Sequence, residues 1–333
     1  MSPDRTPAHT SVPAPDSPHA HARASASAQS SAQDAAGRTA PGRGQDVIHN
    51  IGYRGYEGPR LGRSYARRAL FSQTLRGAYG LGRSAKSKVL PMLLFAAVAL
   101  PAAIVVAVTV VAKSKDLQVG HSEYVLMMQP LIGIYLAAAA PQAFSLDLRF
   151  KTTPLYFSRP MERGDYVAAK YTALSAALFV FTATPVLIMY VGGLLAKLGF
   201  AHQTAGAAQG LVFCALFALL YGAIGAWIAA LTPRRGFGIA AIIVAVTVPF
   251  FLVTALQGIA SLSDNGTAIG WLGLASPGTL LDGIQSRFLG GTSGFPEGQT
   301  LTGAQGAVYL VVLAALLACF YALLQRRYRK AGL

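Results

Sequence analysis

Residues 80–87 read GLGRSAKS, one substitution away from the phosphate-binding pattern G-x-x-x-x-G-K-[ST]. That pattern needs its second glycine so that backbone amides can approach the phosphates, and here Ala85 stands in its place. A P-loop also follows a buried strand and opens a soluble helix. This stretch instead follows SYARRALFSQTLRGAY and runs into an apolar segment from Val89. It reads as a basic anchor rather than a nucleotide site. No other catalytic constellation replaces it. The six histidines are scattered through the N-terminal tail and the loops, and Cys214 and Cys319 sit in separate apolar runs, as packing residues do. No residue is assigned a catalytic, cofactor-binding or metal-binding role, and no cofactor is expected.

One further stretch gathers reactive side chains. Residues 147–170, DLRFKTTPLYFSRPMERGDYVAAK, mix Asp147, Arg149, Lys151, Arg159, Glu162, Arg163 and Asp165 with Phe150, Leu155, Tyr156 and Phe157. Charges interleaved with apolar anchors suit a surface that docks another protein. The same composition fits an ordinary juxtamembrane loop, with arginines that set orientation and aromatics that sit at the interface.

What must position that loop is dictated by composition. The 333 residues are 53% hydrophobic and only 12% charged, against roughly a quarter charged in soluble domains. Six apolar runs, 89–112, 124–146, 171–196, 207–231, 237–260 and 304–324, contain no Asp, Glu, Lys, Arg or His. Each is long enough for a hydrocarbon layer of about 30 Å. The expected fold is an all-α polytopic membrane protein of six transmembrane helices.

The net charge of +15 invites a nucleic-acid reading, but its distribution argues otherwise. Of 28 Lys and Arg residues, 24 lie in the N-terminal segment, the second-to-third and fourth-to-fifth connections, and the C-terminal tail; the remaining loops hold Lys113, Lys115, Lys197 and Arg287. By the positive-inside rule both termini are expected in the cytoplasm. Nucleic acid is not an expected partner.

Residues 1–46 have almost no apolar side chain larger than alanine and are expected to be a disordered cytoplasmic tail. They contain no apolar signal-peptide core, so no cleavage is expected. Residues 47–88 form a basic segment in which Phe71, Leu75 and Tyr79 share one helical face, with Arg67 and Arg76 to either side and Arg68 within the stripe. That pattern suggests an interfacial helix; a basic flank drawn to anionic lipid is the alternative. Gly80 and Gly82 would end this helix, and Pro91 would fall in the first turn of the next span. Prolines at 101, 130, 141, 185 and 249 interrupt the spans, and small residues such as Gly222 and Ala226 permit close helix packing. Within residues 261–303, Ser276 and Pro277 read as cap and first turn of a short outer helix, interfacial or re-entrant. Residues 326–333 are a basic tail.

The spans lack the ionisable side chains that ion-coupled carriers place at membrane depth. Energy for uphill movement would therefore enter from outside the bilayer. In this setting SRPMERGDYVAAKY resembles the second-to-third connection of permeases of the ABC-2 (type-2 exporter) family. Its R-P-x-x-R-x-x-Y-x-x-x-K pattern is matched by Arg159, Pro160, Arg163, Tyr166 and Lys170. IGYRGYEGPRLGR is also similar to the opening region of such permeases in high-GC bacteria. The resemblance covers residues 48–330. It implies a dimer of six-helix halves, homo- or heterodimeric, in the bacterial inner membrane and in contact with lipid. Each half would dock on a separate cytoplasmic ABC ATPase, so the chain would not itself be an enzyme. The coupling residues it implies are Asp147, Arg149, Lys151, Arg159, Pro160, Glu162, Arg163, Asp165, Tyr166 and Lys170. The expected function is ATP-driven export of an amphiphilic or hydrophobic cargo. A non-transporting membrane assembly protein and an energy-independent lipid carrier are the alternatives.

Overall fold

The computed structural model describes Gly58 and residues 61–157, 161–232, 234–263 and 266–330, leaving aside the side chains of Pro154 and Arg235. The chain divides into two units, Met1–Gly58 and Pro59–Leu333, and every helix among the described residues belongs to the second. The expected disordered tail, and the segment resembling a permease opening up to residue 57, lie outside the described residues.

Every regular element among the described residues is helical. Helix α1, Arg63–Ala78, precedes the first span, α2, Ala85–Val111. The second span is built from α3 (His121–Met127), α4 (Gln129–Ala143) and α5 (Ser145–Arg149). After a single turn of helix, α6 (Thr153–Phe157), come α7 (Arg163–Leu195), α8 (Phe200–Leu231) and α9 (Arg235–Leu262). Two short helices, α10 (Gly266–Leu272) and α11 (Pro277–Phe288), lead to α12, Gly303–Lys330. Six segments are long and apolar enough to cross a membrane: α2, Gln129–Arg149, α7, α8, Gly236–Leu262 and α12.

The helices run past the apolar stretches that announce them. Span three starts at Arg163 rather than 171, and span six continues to Lys330 rather than 324, because charged residues at helix ends can reach polar surroundings while the backbone hydrogen bonds continue. Span one begins at Ala85, so Pro91 lies inside the helix and not in its first turn. In span two the chain breaks at Met128, leaving Pro130 in the first turn of α4, and breaks again at Phe144, three residues beyond Pro141. A proline's missing N–H costs nothing in a first turn, which is why the second span is segmented there. Pro101, Pro185 and Pro249 are carried within continuous helices.

Spans two, three and four form the interior. Tyr135, Leu136, Ala137 and Ala140 of α4 are buried against Leu174, Ala177, Leu178 and Phe181 of α7 and Phe217, Tyr221 and Ala226 of α8. Tyr135 stacks on Phe181 at 4.1 Å between ring centroids, and Phe217 on Tyr221 at 4.0 Å. Close approach depends on glycine: a Cβ on Gly222 would sit 2.7 Å from Ser175 Oγ, and one on Gly225 would sit 2.6 Å from Leu136 Cδ1. The small-residue surface of span four is thus used within the chain. Spans one, five and six lie at the periphery and leave large apolar side chains such as Leu93, Ile104, Phe251 and Val311 exposed.

Helix α1 does not lie free on a surface. Its buried residues are Leu70, Thr74 and Ala78, a face about one residue behind the Phe71–Leu75–Tyr79 stripe, whose members are half-buried beside it. The Tyr79 hydroxyl donates to Ala177 O at 2.8 Å, and Gln142 Nε2 donates to Gly77 O at 2.6 Å. These two bonds fix α1 to spans three and two.

The GLGRSAKS stretch forms the link from α1 to α2. Gly80 and Gly82 have φ of +68° and +82°. A Cβ on Gly80 would lie 2.4 Å from Ser87 O, so only glycine fits that position. Leu81 N donates to Arg76 O, closing α1, and Ala85 begins the next helix. Both glycines serve the turn.

Candidate functional site

The second-to-third connection folds around a polar knot at the end of the bundle where α1 begins and α12 finishes. Asp147 lies on the last turn of span two. Its Oδ2 accepts from the Tyr166 hydroxyl at 2.5 Å and from the Lys170 ammonium, one and two turns into α7. Lys170 also donates to Ala143 O, and it lies 4.8 Å from the centroid of the Tyr166 ring, as a cation–π contact allows. Tyr166 in turn packs against Tyr156 and Phe157 of α6 and against Tyr328 of α12, at centroid distances of 5.3, 5.9 and 5.3 Å. The Tyr328 hydroxyl donates to Phe144 O at 3.4 Å. The knot therefore joins spans two, three and six to the short helix between two and three.

A second charged cluster ties α1 to the start of α7. Asp165 is the third residue of that helix, and its carboxylate accepts from the Glu162 N–H at 3.4 Å, filling one of the donors that a helix N-terminus leaves open. It also accepts from Arg63 Nε and lies 3.5 Å from Arg67 Nη1, while Arg63 Nη1 reaches Glu162 at 2.5 Å. Hydrogen bonds to Asp165 and Glu162 push the Arg63 guanidinium further toward its charged form.

The ten residues implied for coupling thus divide by environment. Asp147, Asp165, Tyr166 and Lys170 point into the protein and hold elements together. Arg149, Lys151, Glu162 and Arg163 are exposed on the same end, alongside Phe150 and Leu155, which are 65% and 69% exposed. Arg163 Nη1 donates to Arg329 O at 3.2 Å, and the guanidinium lies 5.7 Å from the Phe157 ring centroid. Phe157, Met161, Glu162, Arg163, Gly164 and Arg329 line an open depression there. Arg159 and Pro160 lie outside the described residues. Sequence reasoning missed the partnership of Arg63 and Arg67 with Asp165, and the contribution of Tyr328. Long-range pairs leave no spacing signal; an excess of arginines on α1 facing acids about 100 residues away was the only trace.

This arrangement is a platform with an apolar, basic face: three spans meet beneath it and α1 is tied to its rim. A model of ABC-2 family transporter proteins matches residues 25–333. The chain belongs to the ABC-2 family. It is a multi-pass membrane protein and the membrane-spanning part of an ABC transporter, and permeases of this family pair with an ATPase subunit. A comparison with curated proteins finds no match. In this ABC-2 protein the platform sits in the connection that the sequence resemblance singles out.

The opposite end holds a second buried network, which composition did not announce. Ser276 caps α11 by accepting from Gly278 N, with Pro277 at the first helical position. Asp282 on that helix is 4% exposed. Its carboxylate accepts from Gly294 N at 3.0 and 3.2 Å and from Gln285 Nε2 at 2.9 Å. Gln285 accepts from Ser122 Oγ of α3 at 2.5 Å, and Thr292 donates to Glu123 at 2.6 Å. Burial, opposed by these donors and reinforced by the Glu123 charge, pushes the Asp282 carboxyl up to about 6. Nearby, the buried His121 side chain is packed against Gly206 and Gly210 of α8. The Asp282 and Gln285 bonds join the start of span two to the segment between spans five and six.

Proposed function

We propose that this chain is the permease subunit of an ATP-driven exporter in the bacterial inner membrane, moving an amphiphilic or hydrophobic cargo. ATP would be hydrolysed by a separate cytoplasmic subunit. The observation that carries the reading is the platform: exposed Phe150 and Leu155 among Arg149, Lys151, Glu162 and Arg163, mounted on the buried Asp147–Tyr166–Lys170 knot. Apolar anchors ringed by charges suit a protein partner, and a stiff base transmits force where a floppy loop would absorb it. The basic loops support an orientation with this end, and both termini, on the cytoplasmic side. Closure of two ATPases, one beneath each copy of a dimer, pushes on residues 147–165 and tilts spans two, three and six together. An apolar path between the two copies then opens toward the outer side, with walls that suit cargo lacking strong charge.

Co-purification of the full chain with a candidate ABC ATPase subunit tests this reading. The expected result is a stable complex whose ATP turnover differs from that of the free ATPase. Charge reversal at Arg159 and Arg163 should weaken the complex without preventing membrane insertion. A chain that associates with no ATPase under any condition would instead support a membrane assembly protein.

A further inference from the structure

Spans one and three run side by side in a constant register. Phe95 of α2 meets Phe181 of α7 at 5.8 Å between ring centroids. Eleven residues further along each helix, a Cβ on Gly192 would lie 2.5 Å from Val106 Cγ1. An equal advance on both helices means that α2 and α7 are parallel and finish at nearly the same level.

Both helices end in the same way. Lys113 follows α2 at φ +49° and Lys197 follows α7 at φ +57°. Around Lys113, its own N–H donates to Val110 O and Ser114 N to Thr109 O; around Lys197, its N–H donates to Leu194 O and Leu198 N to Gly193 O. These are paired closing bonds of a left-handed helix cap, a slot that glycine fills without strain. Here each slot holds an exposed lysine. By this register, Lys113 and Lys197 lie within about two residues' rise of one another, roughly 3 Å along the axis. Packed helices lie about 8–10 Å apart, so the two lysines cap neighbouring helix ends at nearly one level. Lys115 follows closely. Among the described residues none of the three lysines enters an ion pair, and Asp116 at the same rim lies 3.5 Å from His202.

Below that rim lies a groove of about 450 Å³ lined by Ala103 and Val106 of α2 and by Thr184, Leu187, Ile188, Val191 and Leu195 of α7, with Gly192 at its floor. This volume is in the range of small-molecule sites. The one hydroxyl on its wall, Thr184 Oγ1, is used up donating to Val180 O at 2.8 Å within its own helix. The groove therefore offers an occupant contact area and no polar partner, while the lysines follow the ends of the two helices that line it.

We propose that this groove binds one acyl chain of an anionic phospholipid, whose headgroup phosphate is held by Lys113 and Lys197. The charge pattern selects the occupant. A zwitterionic lipid brings a cation of its own beside its phosphate, which offsets the attraction of two lysines, and a free phosphate leaves the apolar floor uncovered. The proposal needs only that the chain spans a membrane, so its failure leaves the transport reading standing.

The test uses the full chain, purified and exchanged into equal mixtures of phosphatidylglycerol and phosphatidylcholine with matched acyl chains. Native mass spectrometry then counts the lipid retained. A preference for phosphatidylglycerol of about tenfold or more is expected from two cations near a phosphate. It should vanish in the K113Q/K197Q double variant and survive in K113R/K197R. A phosphatidylglycerol carrying a photoreactive group in its acyl chain should label peptides 103–112 and 184–196, and millimolar inorganic phosphate should not displace it. Equal retention of both lipids, an unchanged preference in K113Q/K197Q, displacement by phosphate alone, or labelling away from α2 and α7 would overturn the assignment. So would a disulfide between two copies of a Leu187→Cys variant, which would show that a second chain covers the groove.

Discussion

Lys170, on the second turn of span three, donates to Asp147, on the last turn of span two, and their side chains are only 5% and 19% exposed. A charge removed from water this far is tolerated because its partner and the Tyr166 hydroxyl are in place. Taking away one member leaves the other buried and alone. Asp147→Ala or Lys170→Met should therefore cost roughly 3–5 kcal/mol, read as lost thermal stability of the detergent-solubilised chain. The pair of changes Asp147→Leu with Lys170→Met should recover most of that loss. If the double variant is no more stable than either single one, the knot is not an isolated ion pair.

The exposed members of the same connection should behave in the opposite way. Arg149→Glu with Lys151→Glu alters charges that point outward, so stability should change by about 0.5 kcal/mol or less. Association with the ATPase should nevertheless fall at least about tenfold, since juxtaposed like charges at an interface cost several kcal/mol. Surface-immobilised permease titrated with the purified ATPase measures this. Normal binding by the reversed protein would move the docking surface elsewhere.

How much of this could be read from the sequence depends on the range of the interaction. Six charge-free runs gave the spans, since a bilayer imposes length and apolarity on each helix independently. The Ser276–Pro277 start of α11 was legible for the same local reason. The face that α1 buries was not. Its half-buried Phe71–Leu75–Tyr79 stripe is the more apolar one, but Arg63 and Arg67 are drawn to Asp165 and the helix turns to bury Leu70, Thr74 and Ala78 instead. The connection between spans two and three was recognisable by its residue types, yet composition could not sort inward from outward members. Asp165 and Glu162 are neighbours in sequence; one is buried beneath Arg63 and the other is exposed. Arg63, about 100 residues away in sequence, bonds to both.

Asp282 should make the far end of the bundle pH-sensitive. Its carboxyl is raised from the ordinary 3.8 to about 6, so the folded state holds the proton more tightly than the unfolded chain does. The stabilisation is complete below about pH 4 and is lost as pH rises through 6. That rise corresponds to at most about 3 kcal/mol. Stability of the purified chain should thus decline between pH 4 and 6 and then level off with respect to this group. Asp282→Asn, which keeps an oxygen for Gly294 N but cannot ionise, should flatten that part of the profile. An unaltered slope in the variant would assign the titration to other groups.

The small residues of span four provide a test that separates folding from assembly. Gly222 and Ala226 have the spacing often found where two membrane helices cross, and on sequence alone they fit a contact between copies as well as one within a copy. Both are buried inside the single chain, Gly222 against Ser175 of span three. A Cβ there would meet Ser175 Oγ at 2.7 Å, with the Ser175 Cα only 3.5 Å away. Alanine can be admitted by rotating one hydroxyl, whereas leucine must push α7 from α8. Gly222→Leu should cost roughly 1–3 kcal/mol of overpacking strain, and Gly222→Ala much less. Neither should alter self-association of the chains that remain folded, because no copy-to-copy surface has been touched. Thermal unfolding measured alongside energy transfer between labelled copies distinguishes the outcomes. Reduced transfer with unchanged unfolding would place Gly222 at an interface between copies and contradict its packing against Ser175.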